Sequence, residues 1–578
     1  MKRISTASLV MALGLAWTAS QAMAQQGGTP QPQSFDELSA RLEQQDQQIR
    51  QLQAQVSGMQ QGAIATPVAF APSGGTAAGS AAPAAPTAPA APQGAEVGSD
   101  MSITARFWNG TGVMLESPNK DFTMHVGGWF QWDNVSWRQN SLNGPTTATR
   151  TAPAGIGPLE DGDYWRRVRP LIEGNFWETF VYRFNFAFEN NQYSTLGWDE
   201  AWIGDTKLPV VGEVRVGHVK TPMGLEGDMT SSSRCMTFME RSAYSESIEL
   251  NQNFGNGIWF GNTYADERGT WSAAAFRPDD GSSSDYFGTG QWGVQARITG
   301  LPFYEDEGRH LLHLGVSGGW RNGTNTGNGV GTPDYADLSA RPEMRDDNPA
   351  GSPGQVAGGQ AQYLPEANSN KMIDTGKVYS NQEFLLGTEL LYIRGPFSLQ
   401  GEYGWNFLNN AQILTNGLTG TALRSTGPIE NYVFNGGYIQ AMYTLTGENR
   451  AYDRKYGGLS RYYFGGQGPY ENAFLVRDAD GNLCSGHGAW EIACRYSYVD
   501  LNSGFGKLGG GNYVQGGIMD GVSLALNWYV NTNLTVMTDW VYDYRYDLPV
   551  SNVNGASATG GKWAGSTNGI GTEVQLSF

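Results

Sequence analysis

Arginine recurs in this sequence on faces that alternate with apolar residues, and that placement suggests anion chemistry. In Phe180-Val181-Tyr182-Arg183-Phe184-Asn185-Phe186-Ala187-Phe188-Glu189, aromatic residues fill one face, while Arg183, Asn185 and Glu189 take the other. A period of two puts Arg297 beside Gln295, and sets Arg167, Arg169 and Arg495 on polar faces of their own segments. Guanidinium groups grip oxyanions in a planar fork, so five arginines on one inner surface would suit the handling of phosphate-like ions. The carboxylates Glu173, Glu189, Glu402, Glu491 and Glu573 fall on the same surface. The competing reading is that facing Arg and Glu pair across a wall and satisfy each other. Glu240 and Arg241, adjacent in the segment 220–256, are candidates for a constriction or for a salt bridge that anchors a loop.

Catalysis and metal binding find no pattern. The five histidines, His125, His218, His310, His313 and His487, are scattered over unrelated segments, and no nucleophile motif accompanies them. His310 and His313 would lie on opposite faces of a strand, which argues against a shared metal. The three cysteines, Cys235, Cys484 and Cys494, lack paired Cys/His spacing. Cys484 and Cys494 are the pair that could close a small loop. No catalytic residue, metal or cofactor is expected.

The elements that must position the arginines are strands. Sixteen alternating segments run from Phe122 to the C-terminus, near 122–132, 163–174, 179–189, 199–205, 212–219, 257–265, 270–277, 291–299, 310–320, 380–393, 396–407, 431–445, 490–500, 519–530, 533–545 and 567–578. The last segment sets Thr572, Val574, Leu576 and Phe578 on one face and Glu573, Gln575 and Ser577 on the other. Such a strand faces lipid with one side and a wet lumen with the other in a transmembrane barrel. Connections alternate long and short as bacterial barrels require, which puts the long loops, 220–256 and 321–379 among them, outside the cell. One connection breaks the rule: 446–489 is too long for a periplasmic turn, and implies either a missed hairpin, giving eighteen strands, or a folded periplasmic insertion. Sixteen strands are the preferred count, closing Phe122 against the terminal strand without a free edge.

The rest of the chain fits a secreted barrel. Charged residues make up 16%, below the roughly 25% usual for soluble domains. Residues 1–24 read as a signal peptide: Lys2 and Arg3, an apolar run Leu9 to Trp17, then Ala22-Met23-Ala24 for cleavage. Cleavage removes those two cations and lowers the formal charge from −18 by two to −20, which argues against nucleic acid as a partner. Residues 25–60 carry an a/d seam through Phe35, Leu38, Leu42, Gln45, Ile49, Leu52, Val56 and Met59, the pattern of a short α-helical coiled coil. Residues 61–98 are Ala/Pro-rich and read as an extended periplasmic spacer. The barrel domain is 120–578.

Several stretches resemble the phosphate-selective porin O and P family: Tyr182-Arg183-Phe184-Asn185-Phe186, Val216-Gly217-His218-Val219-Lys220-Thr221-Pro222-Met223-Gly224, Phe238-Met239-Glu240-Arg241-Ser242, Leu445-Thr446-Gly447-Glu448-Asn449-Arg450, the run from Gly488 to Asn502, and Leu526-Asn527-Trp528-Tyr529-Val530. The resemblance implies a trimeric sixteen-stranded anion porin whose third external loop folds into the pore. It also fits a long segment after Leu445-Thr446-Gly447-Glu448. Members named for phosphate use an arginine ladder and a lysine ring, and here the loop 220–256 is not lysine-rich. The expected function is passive diffusion of small solutes, inorganic anions among them, through a homotrimer in outer-membrane lipid. The alternative is a structural barrel tethered through its N-terminal coil to a periplasmic or surface layer.

Overall fold

The computed structural model of the chain describes residues 102–107, 112–139, 159, 161–177, 179–188, 197–229, 235–249, 254–278, 291–322, 335–336, 338–345, 371–376, 378–413, 429–459, 471–477, 481–504, 514–548 and 563–578. The signal peptide 1–24, the coil 25–60, the spacer 61–98 and Glu189 lie outside these residues.

Period-two alternation produces sixteen antiparallel strands, all at their expected places. They are β1 Phe122–Gln139, β2 Gly162–Phe176, β3 Phe180–Ala187, β4 Gly197–Leu208, β5 Gly212–Lys220, β6 Phe254–Tyr264, β7 Gly269–Pro278, β8 Gly293–Glu305, β9 His310–Asn322, β10 Val378–Arg394, β11 Phe397–Ile413, β12 Glu430–Thr444, β13 Ala489–Ser503, β14 Val514–Tyr529, β15 Leu534–Leu548 and β16 Trp563–Ser577. Each pairs with its sequence neighbour, and β16 pairs with β1 from Thr567↔Gln139 to Ser577↔Trp129, so the sheet closes on itself.

Closure is finished by the chain ends. Phe578 exchanges backbone hydrogen bonds with Gly128 at 2.8 and 3.0 Å and stacks on Phe130 at 5.5 Å. The terminal strand thus meets β1 only from Gly128 onward and not near Phe122 as expected, which would leave one edge of β1 open from Thr123 to Val126. A hairpin of Thr104–Phe107 and Val113–Glu116 covers that edge, pairing Val113↔Val126 through Glu116↔Thr123. Gly112 sits at φ +122°, and a Cβ there would strike the Val126 carbonyl, so the entry to the hairpin needs glycine.

The outer face is apolar, with Ile203, Val216, Ile258, Val294, Ile298, Leu314, Val316, Ile439, Leu524 and Ile570 exposed on it. Aromatics gather near the short-turn end, where Phe122, Phe176, Trp177, Phe180 and Tyr182 contact one another and Trp490 stacks on Trp528. An apolar band flanked by aromatics is the surface a bilayer requires. The three cysteines are unbridged, and Cys494 is exposed on β13.

Over its described residues the connection 446–489 adds no barrel strand and, through contacts of Arg450 with Glu491 and of Lys455 with Glu213, enters the lumen instead of standing in the periplasm. It folds as two small hairpins, Tyr452–Asp453 with Gly458–Leu459 and Phe474–Arg477 with Leu483–Gly486.

Candidate functional site

Three segments fold into the lumen, and together they define where a solute can pass. The first follows β5. It carries two short helical turns, Gly224–Met229 and Ser245–Glu249, and the first presents backbone N–H groups to a wall carboxylate. Leu225 and Glu226 N–H both donate to the Glu402 carboxylate on β11, the latter at 2.8 Å. Met239 N–H donates to Asp539 on β15 at 2.7 Å, and Gly224 N–H to Ser317 Oγ on β9 at 3.2 Å. Glu226 in turn accepts from Ser242 Oγ and Ser245 Oγ, each at 2.6 Å. Gly224 has φ +75°, and a Cβ there would collide with the Glu249 carboxylate.

The second segment descends after β9. Glu343 accepts from Arg495 Nε at 3.0 Å, Ser523 Oγ at 2.7 Å and Ala243 N–H at 2.9 Å, so it ties this segment to β13, β14 and the first loop. Arg341 and Arg345 each reach Glu246, at 2.8 and 3.0 Å. The long loop 321–379 thus lies within the barrel over its described part.

The third segment is the 446–489 connection, which enters from the short-turn end. Arg450 pairs with Glu491 on β13 through Nε at 2.9 Å and Nη2 at 2.5 Å. Five residues on, Lys455 Nζ lies 2.9 Å from Glu213 on β5, and Tyr456 donates its hydroxyl to the same carboxylate at 3.0 Å. In a ring of sixteen, β13 and β5 are eight strands apart, so the segment spans the lumen from wall to wall. Leu459 then packs with Leu225 of the first loop against Leu301, Leu311, Leu391 and Ile393.

The sequence-derived arginines divide between two settings. Arg167 donates to Gln131 at 2.8 Å and lies 3.4 Å from Glu240. Arg169 pairs with Asp199 at 2.9 Å, and Arg183 with both Glu173 and Glu200 at 2.8 Å. These three occupy neighbouring strands β2 and β3. Arg297 makes a two-pronged contact with Glu389, at 2.8 and 2.6 Å, and donates to the Gly457 carbonyl behind the third segment. Arg495 lies under the second segment on β13. Arg297 and Arg495 side chains are 1% or less exposed, whereas those of Arg166, Arg341 and Arg345 keep 12–21%, so the latter are placed to meet a passing ion.

Arg166, Arg341, Arg345 and Arg450 were not singled out from the sequence. Strict alternation turns Arg166 to the outer face, but a β-bulge opposite Gln131 and Trp132 puts both Arg166 and Arg167 inside, and Arg166 bonds Glu240. The consecutive arginines were the available clue. Loop residues 341 and 345 belong to no periodic element, so spacing says nothing of where they point.

In the lumen the wall and loops bring together Arg166, Arg167, Arg169, Arg241, Arg341 and Arg345 with Asp199, Glu226, Glu240 and Glu246, and Asp133 and Glu573 stand behind Arg166 and Arg167 on β1 and β16. Of these charges Arg166, Arg169, Arg341 and Arg345 keep 12–21% side-chain exposure, against 16% and 20% for Asp199 and Glu246. Burial pushes the Arg241 guanidinium down to about 10; Glu226 opposes this, while Arg167 and Arg169 add to it. Burial would raise Glu240, but Arg166, Arg167 and Arg345 hold it well below the usual carboxylate range. Glu246 is likewise lowered, since Arg345 and Arg341 outweigh its burial.

Glu249 behaves oppositely: burial, then the neighbouring Glu402 and Glu226 carboxylates, push it well above its ordinary value, and only Ser245 counters them. A carboxyl raised in the fold stabilises below its unfolded pKa, about 4.3, and loses that stabilisation as pH rises through the folded value. The lowered Glu240 and Glu246 stabilise above that reference and fail only as pH falls through their depressed values. The first loop should therefore loosen on the alkaline side and resist mild acid. We expect single-channel current to become noisier from neutral to alkaline pH, and Glu249→Gln to flatten the change. Identical titrations of both proteins would refute this.

Among known proteins, the family model described as phosphate-selective porin O and P matches residues 158–356 and 358–576. Porin O of Pseudomonas aeruginosa is 25% identical over 444 residues, covering 74% of this chain and 85% of that protein. An uncharacterized protein of Caulobacter vibrioides is 24% identical over 325 residues, 54% of this chain and 51% of that one. Among solved structures, the outer membrane channel DcaP of Acinetobacter baumannii covers 79% of this chain and 97% of its own, at 10% identity and TM-score 0.41. An anion-selective porin from Comamonas acidovorans covers 79% and 100%, at 10% identity and TM-score 0.38.

Proposed function

The chain belongs to the phosphate-selective porin O and P family and is an outer-membrane porin channel for solutes, and on that premise we propose that it favours small inorganic anions. The observation that carries this is the exposed charge of the cluster, four guanidinium groups (Arg166, Arg169, Arg341 and Arg345) at 12–21% exposure against two carboxylates (Asp199 and Glu246) at 16–20%, in a chain whose formal charge is −18. Selectivity follows the field where the passage is narrow, because low-dielectric walls concentrate it there, and net charge elsewhere matters little. Arg167, Arg169 and Arg183 line the approach along β2 and β3. Arg166, Arg241, Arg341 and Arg345 complete the ring with Glu240 as a loop anchor. Arg297, Arg495 and Glu402 act as wall residues that hold the inserted segments.

Arginine without a lysine ring suits oxyanions in general, phosphate among them, since the fork contacts two oxygens at once. Reversal potentials across a KCl gradient test the reading. The native channel should prefer chloride, and Arg166→Glu with Arg345→Glu should shift the preference to potassium, a change of about tenfold in permeability ratio. Equal reversal potentials for the two proteins would remove the cluster from selectivity.

The assembly we propose is a homotrimer whose residues 25–60, after loss of the signal peptide 1–24, form a periplasmic coiled coil on the spacer 61–98. The a/d seam supports it, and tethering three copies raises their effective concentration enough for four heptads to associate. Deleting 25–60 should weaken the trimer on native gels, and an undiminished trimer would deprive the coil of that role.

A further inference from the structure

The third inserted segment does more than cross the lumen. Between it and the wall at β4–β7 lies a cavity of about 190 Å³, lined by Glu213, Trp259, Thr263, Ser272, Lys455 and Tyr456 among others. Of its charges, Glu267 stands 3.5 Å from Arg454 at the rim, and the others are spent on one another and on Arg215. Glu213 takes Arg215 at 2.6 Å and Lys455 at 2.9 Å, and the Arg215 guanidinium lies 4.6 Å from the Trp202 ring centre, 4.2 Å from Trp259 and 5.2 Å from Tyr456. Burial opposes the charge on Lys455, yet Tyr456 and Glu213 hold its ammonium above the ordinary value, so the ion pair stays formed. An ion entering this recess would have to displace partners that are stacked and bonded.

Beside the half-exposed Glu267 carboxylate, which can accept from a hydroxyl, what the recess offers an incoming solute is uncharged. The Trp259 indole and Tyr456 phenol, which share the Arg215 guanidinium at 4.2 and 5.2 Å, also line the recess, one from the wall and one from the inserted segment. Thr263 and Ser272, on the paired strands β6 and β7, supply hydroxyls that both donate and accept. Flat rings beside hydroxyls match molecules with C–H faces and several hydroxyl groups. The geometry points to a binding station for a small uncharged polyhydroxylated solute, of the chemistry of a monosaccharide, at the short-turn end of the channel. This rests on the channel reading but not on the arginine cluster, which lies on β2–β4 and the long loops.

Glucose added to a reconstituted channel in KCl is the test. It should reduce single-channel current in a saturable way, as a bound solute occupies part of the passage. Thr263→Val with Ser272→Ala removes two hydroxyls at nearly constant volume. Wild-type KCl conductance in that variant would report an intact channel, and its half-blocking glucose concentration should rise about tenfold, as the loss of two modest hydrogen bonds implies. KCl conductance without any effect of glucose, or equal block of both proteins, would overturn the station alone. Block by potassium phosphate but not by glucose would overturn it too. Absence of all KCl conductance would overturn the channel reading and this inference with it.

Discussion

Replacing Tyr452–Leu459 with a short Gly-Ser connection is expected to raise single-channel conductance about twofold, because the segment lies across the lumen and pore cross-section governs flux. Arg450 is kept in this design, since removing it would strand the fully buried Glu491, which also accepts from Tyr529 and Asn527. The lost contacts are otherwise tolerable. Arg297 keeps Glu389, and Glu213 keeps Arg215, while His313 loses only the Tyr452 hydroxyl at 2.7 Å. Leu225 loses Leu459 but stays against Leu301, Leu311, Leu391 and Ile393, so the first loop retains its seat. The barrel itself should be unaffected, since its ladder continues from β12 to β13 without the segment. Unchanged conductance would mean that solutes bypass the short-turn end of the segment, and would assign it to bracing the wall.

How much of this was readable in advance follows from periodicity. A strand fixes side-chain direction with period two, so Phe180–Ala187 and the terminal strand disclosed which residues face the lumen, and the alternation of long and short connections disclosed the strand number. Where the period slips, the sequence misleads. The bulges at Arg166 and at Asp199 each turn an additional charge inward, and both charges belong to the passage. Inserted segments are harder still. Arg450 finds Glu491, and Glu343 finds Arg495, across 41 and 152 residues respectively, by contacts that depend on how a loop turns back. The length of 446–489 announced that something folds there, but not that it enters the lumen. Charge counting had a similar limit: the formal charge of −18 gave no sign of the exposed arginines gathered in the lumen, because acidic residues elsewhere outnumber them.

Glu343→Ala should be the most destabilising single substitution in the lumen, at about 3–5 kcal/mol, the usual cost of leaving a buried charge without its partner. Arg495 is 0% exposed and gives Glu343 two of its nitrogens, at 3.0 and 2.9 Å, while its other carboxylate neighbour, Glu226, stands 3.7 Å away. Losing Glu343 also frees the Ala243 N–H and the Ser523 hydroxyl, so both inserted loops lose an anchor at once. Two effects should appear together: a lower urea midpoint for unfolding in detergent, and larger current fluctuations as the loops come loose. Arg495→Met alone should also destabilise, leaving Glu343 buried beside Asp543, to whose carboxylate its own N–H donates at 3.1 Å. The double variant should recover part of the loss, because removing both charges removes the uncompensated one; Met fills the Arg495 space, while the cavity left by Ala keeps the rest. Additive losses in the double variant would show that each side chain acts through separate partners. A Glu343→Ala protein as stable as the native one would mean that water reaches Arg495, and that the second segment is held in the lumen by its apolar residues, Leu338, Met344 and Ile373, instead of by charge.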